Sequence, residues 1–208
     1  MLDFESLLRL GPHGLVVFCY RSALRADEVM RTTRYQIDWQ ELRATAYRRG
    51  LDSVREWIVA AVPTPELLDG AGQAATDAVA AAQAALMNAI DGGDDSNGAR
   101  AVLAPAEGMT LALTMLAGEP PWTPAFRDDF FRRPFDEPRD RRPDAAARMA
   151  IRAVEQLERV NPYEKRGRLL PALHDDLTIL VDAQQGGSTV ALDAFGPLWA
   201  WDSDQSTQ

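Results

Sequence analysis

The chain has 208 residues, of which 46% are hydrophobic and 25% are charged, and its formal net charge at pH 7 is −9. This balance is typical of an ordinary globular domain and argues against an intrinsically disordered chain. The acidic charge argues against nucleic acid as a partner, because phosphate binding depends on clustered Lys and Arg.

No apolar run reaches the roughly 18 to 20 residues that a bilayer-spanning helix needs, and the first residues do not have the pattern of a secretion signal. We therefore predict a cytoplasmic protein that makes no membrane contact. Basic residues are almost all arginine, with Lys165 the single lysine, and alanine is abundant, which is typical of a GC-rich bacterial genome.

Cysteine and histidine are scarce, which limits the chemistry available to the chain. Cys19 is the single cysteine, so no disulfide forms within the chain, in keeping with a reducing compartment. It lies in an apolar stretch with no base nearby in sequence, where a thiol is normally an inert buried side chain. With His13 and His174 the two histidines, we predict no resident metal or other cofactor.

Helix signals dominate the start of the chain. Asp3 can cap a short helix over residues 4–10, which Gly11 and Pro12 end. Residues 15–20 are ambiguous, because their β-branched content suits a buried strand whereas their apolar positions also fit helical spacing. We favour a helix there.

The clearest local signal begins at Ile37. Asp38 can cap a helix, Glu41 can reach back to complete a capping box, and Ile37 can pack against the first turn. We expect Gly50 to end this helix in a left-handed conformation. A second helix over residues 53–62 should follow after a very short turn, so that the two pack as an antiparallel or angled pair.

The next segment combines a proline-led helical turn at residues 64–66 with an alanine-rich helix over residues 74–90. Residues 91–98 are predicted to be a solvated surface loop. Their oxygen-bearing side chains are typical of calcium loops, but the EF-hand register fails. Residues 99–116 contain a proline and a glycine and form either a kinked helix or a helix followed by a strand over 109–116.

Residues 118–143 are rich in proline, arginine and aromatic residues, unlike the sequence around them. We predict an extended arm anchored by its rings, either on the chain's own core or on a partner. Aromatic residues and arginine dominate the hot spots of protein interfaces. The arm is therefore the predicted partner-binding site, and its candidate residues are Trp122, Phe126, Phe130, Phe131, Phe135, Arg127 and Arg132.

After the arm, Asp144 can cap a helix that runs to Val160. Residues 177–183 and 189–195 are rich in β-branched and apolar residues and flank the glycine-containing stretch 184–188. This pattern predicts a β-hairpin.

Together these elements predict a mainly α fold: a multi-helix domain with a small C-terminal β-hairpin, or an α+β fold if residues 15–20 or 109–116 are strands. We expect a helical domain over residues 1–117, followed by the arm over residues 118–143. A helix plus hairpin over residues 144–202 should pack on the first part, and residues 203–208 should form a frayed tail.

His174, Asp175 and Asp176 are the strongest catalytic candidates, because a histidine beside carboxylates can hold a divalent metal or act in acid–base catalysis. Folding would also have to bring His13 near them. Adjacent residues do not easily face one metal, however, and the simpler interpretation is a polar loop that precedes a strand. No Gly-x-Ser-x-Gly, Walker or dinucleotide-binding motif occurs in the chain.

We therefore predict a non-catalytic, acidic bacterial protein–protein interaction module, such as an immunity protein or an adaptor subunit of a bacterial complex. Its partner would be a protein, with basic charge favouring association, or a second copy of the chain. The alternative is a metal-assisted hydrolase that uses the His-Asp-Asp cluster. A third hypothesis is a helical regulator whose small-molecule pocket is lined by Trp39 and Trp57.

Overall fold

The computed structural model describes residues 4–32, 41–60, 63–93, 96–118, 142–160 and 167–199. Within these ranges the chain is mainly helical, which confirms the predicted class. The elements are α1 (Phe4–Arg9), α2 (Pro12–Thr32), α3 (Glu41–Val59), α4 (Pro65–Gly92), α5 (Asn97–Ala117), α6 (Arg142–Val160), α7 (Leu169–Gln185) and a 3₁₀ turn at Leu192–Ala194.

Helices α2 and α5 lie at the centre of the bundle. Helix α5 packs against α2, α4 and α6, and α2 also contacts α3, α6 and α7. Helix α3 packs on α4, and the short α1 packs on α6 and α7. Alanine supplies much of the buried surface of α4, α5 and α6, which lets the helix axes approach closely.

The ambiguous residues 15–20 lie in α2, so the helical interpretation is confirmed. Every residue from Leu15 to Ala23 is buried, because α2 is surrounded by other helices. A helix that is covered on all sides does not need an alternating polar face. This is why the segment resembles a buried strand in sequence.

The prediction that Gly50 ends a helix is wrong, because α3 continues through it to Val59. A Cβ atom built on Gly50 would lie 2.5 Å from the carbonyl oxygen of Ala74 and 2.9 Å from the Cβ of Ala78, both on α4. The glycine therefore serves close packing of α3 on α4 rather than a turn. Glu41 is the first residue of α3, whereas Ile37 and Asp38 lie outside the described residues.

Helix α4 begins where the sequence predicted. The Thr64 hydroxyl accepts a hydrogen bond from the backbone N–H of Leu67 at 3.3 Å, and Pro65 occupies the first helical position. The helix then runs without a break to Gly92, joining the turn at 64–66 to the alanine-rich stretch. Gly93, with φ of 72°, ends it in the left-handed conformation.

Residues 99–116 lie in the single helix α5, so the alternative of a strand over 109–116 is wrong. Pro105 is accommodated inside this helix and is buried. Gly108 faces α2, where an added Cβ would come within 2.6 Å of the Cys19 Sγ atom. Small residues thus let α5 lie close to α2 at this level.

The predicted β-hairpin is wrong for the residues that the structure describes. Residues 177–183 belong to α7, and residues 189–195 form extended chain with the 3₁₀ turn. Leu169, Leu173, Leu177 and Leu180 are all buried, and their spacing of three to four residues is helical. This pattern starts before the β-branched run and overrides its strand propensity.

Helix α6 confirms the helix predicted before Val160, although it begins at Arg142, two residues earlier than the proposed cap Asp144. In the described part of the chain, no helix combines the length and apolar character needed to cross a membrane.

Candidate functional site

The seven residues of the predicted partner-binding arm lie outside the described residues. These are Trp122, Phe126, Phe130, Phe131, Phe135, Arg127 and Arg132. Arm residues 118 and 142–143 are described, as the end of α5 and the start of α6.

The three catalytic candidates lie on α7 and not in a loop before a strand, which corrects the sequence-based interpretation. His174 and Asp175 are exposed, whereas Asp176 is buried with only 2% of its surface accessible. Because successive helical residues point about 100° apart, the three side chains diverge. The described residues contain no group of three His, Cys, Asp or Glu side chains arranged to hold a metal ion.

Asp176 instead bonds two arginines of α2. Its Oδ2 atom accepts hydrogen bonds from Arg21 Nε at 2.8 Å and from Arg25 Nη2 at 2.7 Å. The Arg25 side chain is fully buried and that of Arg21 is 8% exposed. Charge-assisted bonds of this length are strong, and they tie α7 to the centre of the bundle.

The same two arginines also bind the segment that follows α7. We call residues 188–199 the strap. Arg21 Nη2 donates to the carbonyl oxygens of Gly196 at 2.8 Å and Pro197 at 3.4 Å, and Arg25 Nε donates to that of Leu198 at 2.6 Å. Each arginine therefore links Asp176 on α7 to the backbone of the strap.

Aromatic residues of the strap complete the contact with α2. The Arg21 guanidinium carbon lies 4.7 Å from the centre of the Phe195 ring, a cation–π arrangement. The Trp199 indole donates to Glu28 Oε2 at 2.7 Å. Both aromatic side chains are buried, Trp199 with 1% of its surface accessible.

The charge at Arg25 is expensive to bury. Desolvation lowers the pKa of this guanidinium, and the neighbouring Asp176 carboxylate opposes that effect. Among the described residues, the Nη1 atom of Arg25 has no hydrogen-bond partner, and neither does the buried hydroxyl of Ser22 one turn earlier on α2. A buried donor of a charged group that stays unpaired is costly.

A second polar cluster joins α2, α3 and α5. The Asp27 Oδ2 atom pairs with Arg48 Nε at 3.0 Å and with Arg31 Nε at 3.1 Å. The buried Tyr47 hydroxyl donates to the carbonyl oxygen of Val102 at 2.9 Å. These contacts fix the packing of α3 beside α2 and α5.

His13 and Cys19, the other residues considered for chemistry, are packed against other residues of the helical bundle. His13 packs on the Trp57 ring, with centroids 5.3 Å apart, and burial lowers its pKa. Cys19 is buried as predicted, and burial raises the pKa of its thiol to about 12, which disfavours the reactive thiolate. Trp39, the other aromatic of the proposed small-molecule pocket, lies outside the described residues.

Glu107 on α5 is a titratable group that sequence reasoning missed. Burial raises the pKa of its carboxyl to about 7, and the positive charge of Arg152 on α6 opposes this rise. In sequence Glu107 belongs to an Ala-Glu-Gly-Met stretch that carries no functional motif. Its burial follows from the packing of α5 on α6, which no local pattern reports.

The arginine cluster was also missed, although α2 carries a signal for it. Arg21 and Arg25 lie four residues apart, with Glu28 three residues further on, in a helix whose neighbouring residues are apolar. Charged residues at helical spacing in an apolar helix indicate a buried polar partner. Asp176 could not be named from this signal alone.

Comparison with known proteins identifies no relative: no protein-family model, no curated protein and no solved structure matches the chain. The fold and its polar cluster therefore define a class only, a mainly helical domain in which buried arginines join two helices to an extended strap.

Proposed function

We propose that this chain is a non-catalytic protein–protein interaction module, such as an immunity protein or an adaptor subunit of a bacterial complex. The observation that carries the proposal is the role of Asp176. The acid that completes the candidate catalytic cluster is bound by Arg21 and Arg25 in the core, while His174 and Asp175 point elsewhere. No observation favours the alternative of a metal-assisted hydrolase.

Charge and composition supply the positive support. The net charge of −9 favours association with a basic protein surface. The arm, with Trp122, Phe126 and Phe130 four residues apart, has the residue types that dominate interface hot spots. The single reduced, buried Cys19 supports a cytoplasmic location as part of the same proposal.

Affinity capture of the tagged chain from its own host tests this proposal. The comparison is with a variant that carries Trp122→Ala, Phe126→Ala and Phe130→Ala. A matched control carries Met87→Ala and Ile90→Ala, which remove two exposed apolar side chains of α4. We expect one protein to be recovered stoichiometrically by the wild type and the control and lost by the arm variant.

Two results would count against the proposal. One is a wild-type chain that recovers no protein in stoichiometric amount. The other is metal retained by the purified chain and released by His174→Ala, since that outcome would restore the hydrolase alternative. Circular dichroism of each variant shows whether its helices remain formed, so loss of capture can be separated from loss of fold.

A further inference from the structure

The contacts between α2 and the strap have the form of peptide recognition. Arg21, Arg25 and Glu28 lie on successive turns of α2 and contact Gly196, Leu198 and Trp199 in the same order. From Arg21 to Glu28 α2 rises about 10 Å, a span that three to four residues of non-helical chain can cover. The end of the strap therefore follows α2, with its contacts in the same order as the helical turns.

These contacts divide into two kinds. The bonds from the two arginines to backbone carbonyls depend on the path of the backbone and not on side-chain identity. The Arg21–Phe195 and Glu28–Trp199 contacts instead select aromatic side chains four residues apart. Main-chain bonds that supply affinity, combined with side-chain contacts that supply specificity, are the usual arrangement of peptide-binding grooves.

Contacts that do not involve the strap also hold the groove. Asp176 on α7 fixes both arginines, and the end of α7 is anchored separately through Gln184. The Gln184 side chain accepts from the Gly11 N–H at 2.6 Å and donates to the Arg9 carbonyl at 2.9 Å. Neither the Asp176 contacts nor the Gln184 contacts involve the strap, so these bonds do not depend on its presence.

The strap is attached through a natural hinge. Gly186 and Gly187 end α7, and Gly187 has a positive φ of 66°. The backbone–backbone bonds of the strap are local: Ser188 bonds to Ala183, Ala194 to Ala191 and Phe195 to Leu192. Release at the two glycines therefore leaves the hydrogen bonds within α7 intact.

The strap also leaves one donor of the groove unused. Arg25 is fully buried, and its Nη1 atom has no partner among the described residues while its Nε and Nη2 atoms are both bonded. An occupant with one more acceptor at this position would satisfy that donor. The strap thus leaves part of the Arg25 guanidinium unsatisfied.

We propose that the groove between α2 and α7 binds a non-helical segment of a partner protein, with two aromatic residues four apart, and that the strap is its intramolecular competitor. This inference rests on the proposed function and names a site for it beyond the arm. A tethered competitor has an effective concentration of about millimolar, so a free peptide with the same contacts binds the wild type weakly.

The probe is a fluorescently labelled synthetic peptide with the sequence of residues 188–199, followed by anisotropy against full-length protein. The control peptide has alanine in place of its phenylalanine and its tryptophan. We expect the probe to bind Trp199→Ala protein at least about tenfold more tightly than the wild type, since that variant loosens its own strap. The control peptide should bind neither protein.

Phe195→Leu supplies a second variant, which weakens the strap's contact with Arg21 but keeps an apolar side chain and leaves the groove residues unchanged. It keeps the test independent of the folding of Trp199→Ala. Hydrogen exchange on the wild type provides a measurement that needs no variant. Amides of the strap should exchange faster than those in the middle of α2 and α7, because the strap opens without global unfolding.

The proposal is overturned if the probe binds neither variant while their helices remain formed, or if strap amides exchange only with global unfolding. It is also overturned if the wild type is a dimer with exchanged straps, since the occupant is then a second copy. No host partner is needed for this experiment. Its failure would therefore leave the arm-dependent capture untouched, and failure of that capture would not alter the peptide result.

Discussion

Substitution of Asp176 by alanine separates a structural carboxylate from a catalytic one. The substitution removes the acceptor of two short charge-assisted bonds, from Arg21 at 2.8 Å and from Arg25 at 2.7 Å. It leaves two positive charges in the core whose remaining hydrogen bonds, among the described residues, go to strap carbonyls. Asp175→Ala is the matched control, because this neighbour on α7 is exposed.

Removing one partner of a buried ion pair costs about 3 to 5 kcal/mol, much of it from the charge left behind. Two hydrogen bonds to charged groups, at roughly 1.5 to 3 kcal/mol each, give a similar sum. For a domain of about 200 residues each kcal/mol lowers Tm by roughly 2 to 4 °C, so we expect Asp176→Ala to lower Tm by about 6 to 20 °C. Asp175→Ala should remain within the small range of surface substitutions.

Urea denaturation followed by circular dichroism, together with thermal melting, gives both quantities. The reasoning is refuted if Asp176→Ala lowers the free energy of unfolding by less than about 1 kcal/mol. Removing a buried partner of two arginines should cost more than that. Equal losses for the two variants would refute it too. They would indicate that the adjacent acids share one environment, as a metal site requires.

Three further tests concern packing and electrostatics. Gly50→Ala should destabilise by about 1 to 3 kcal/mol in urea, because its methyl group meets an α4 carbonyl at 2.5 Å, whereas Gly72→Ala, with no atom within 4 Å, should stabilise by roughly 0.5 to 1 kcal/mol. Similar effects of the two would contradict the close α3–α4 contact. Gly108→Ala should destabilise through contact with the Cys19 thiol, and adding Cys19→Ala should recover part of that loss in a double-mutant cycle. Additive effects would contradict the contact. Folding raises the pKa of Glu107 from 4.5 to about 7, so the stability that this group contributes is present below pH 4.5 and lost as pH rises through 7, by up to about 3 kcal/mol. Glu107→Gln should abolish that part of the pH dependence in urea melts between pH 4 and pH 9, and unchanged curves would contradict it.

Local sequence signals predicted a helix boundary well where neighbouring residues alone determine it. Thr64 and Pro65 begin α4 as expected, because capping is a property of neighbouring residues. Gly50 was misinterpreted, because a glycine that permits a helix contact and one that ends a helix look alike in a single sequence. Which of the two applies depends on α4, more than twenty residues away.

The hairpin prediction was wrong, and the polar site was missed, for a related reason. Residues 177–183 have strand propensity, but burial on one face of α7 prevails over it. Asp176 was considered only beside its sequence neighbours, whereas its partners Arg21 and Arg25 are more than 150 residues away. Pairing between distant charges follows from the assembled bundle and has no local pattern.

The central claim is that this chain works by binding another protein. Native mass spectrometry of the tagged chain purified from its own host tests it most directly. We predict a single complex of fixed stoichiometry, with the mass of the chain plus one partner, which disappears when Trp122, Phe126 and Phe130 are alanine. A chain that is recovered at its own mass alone would contradict the claim.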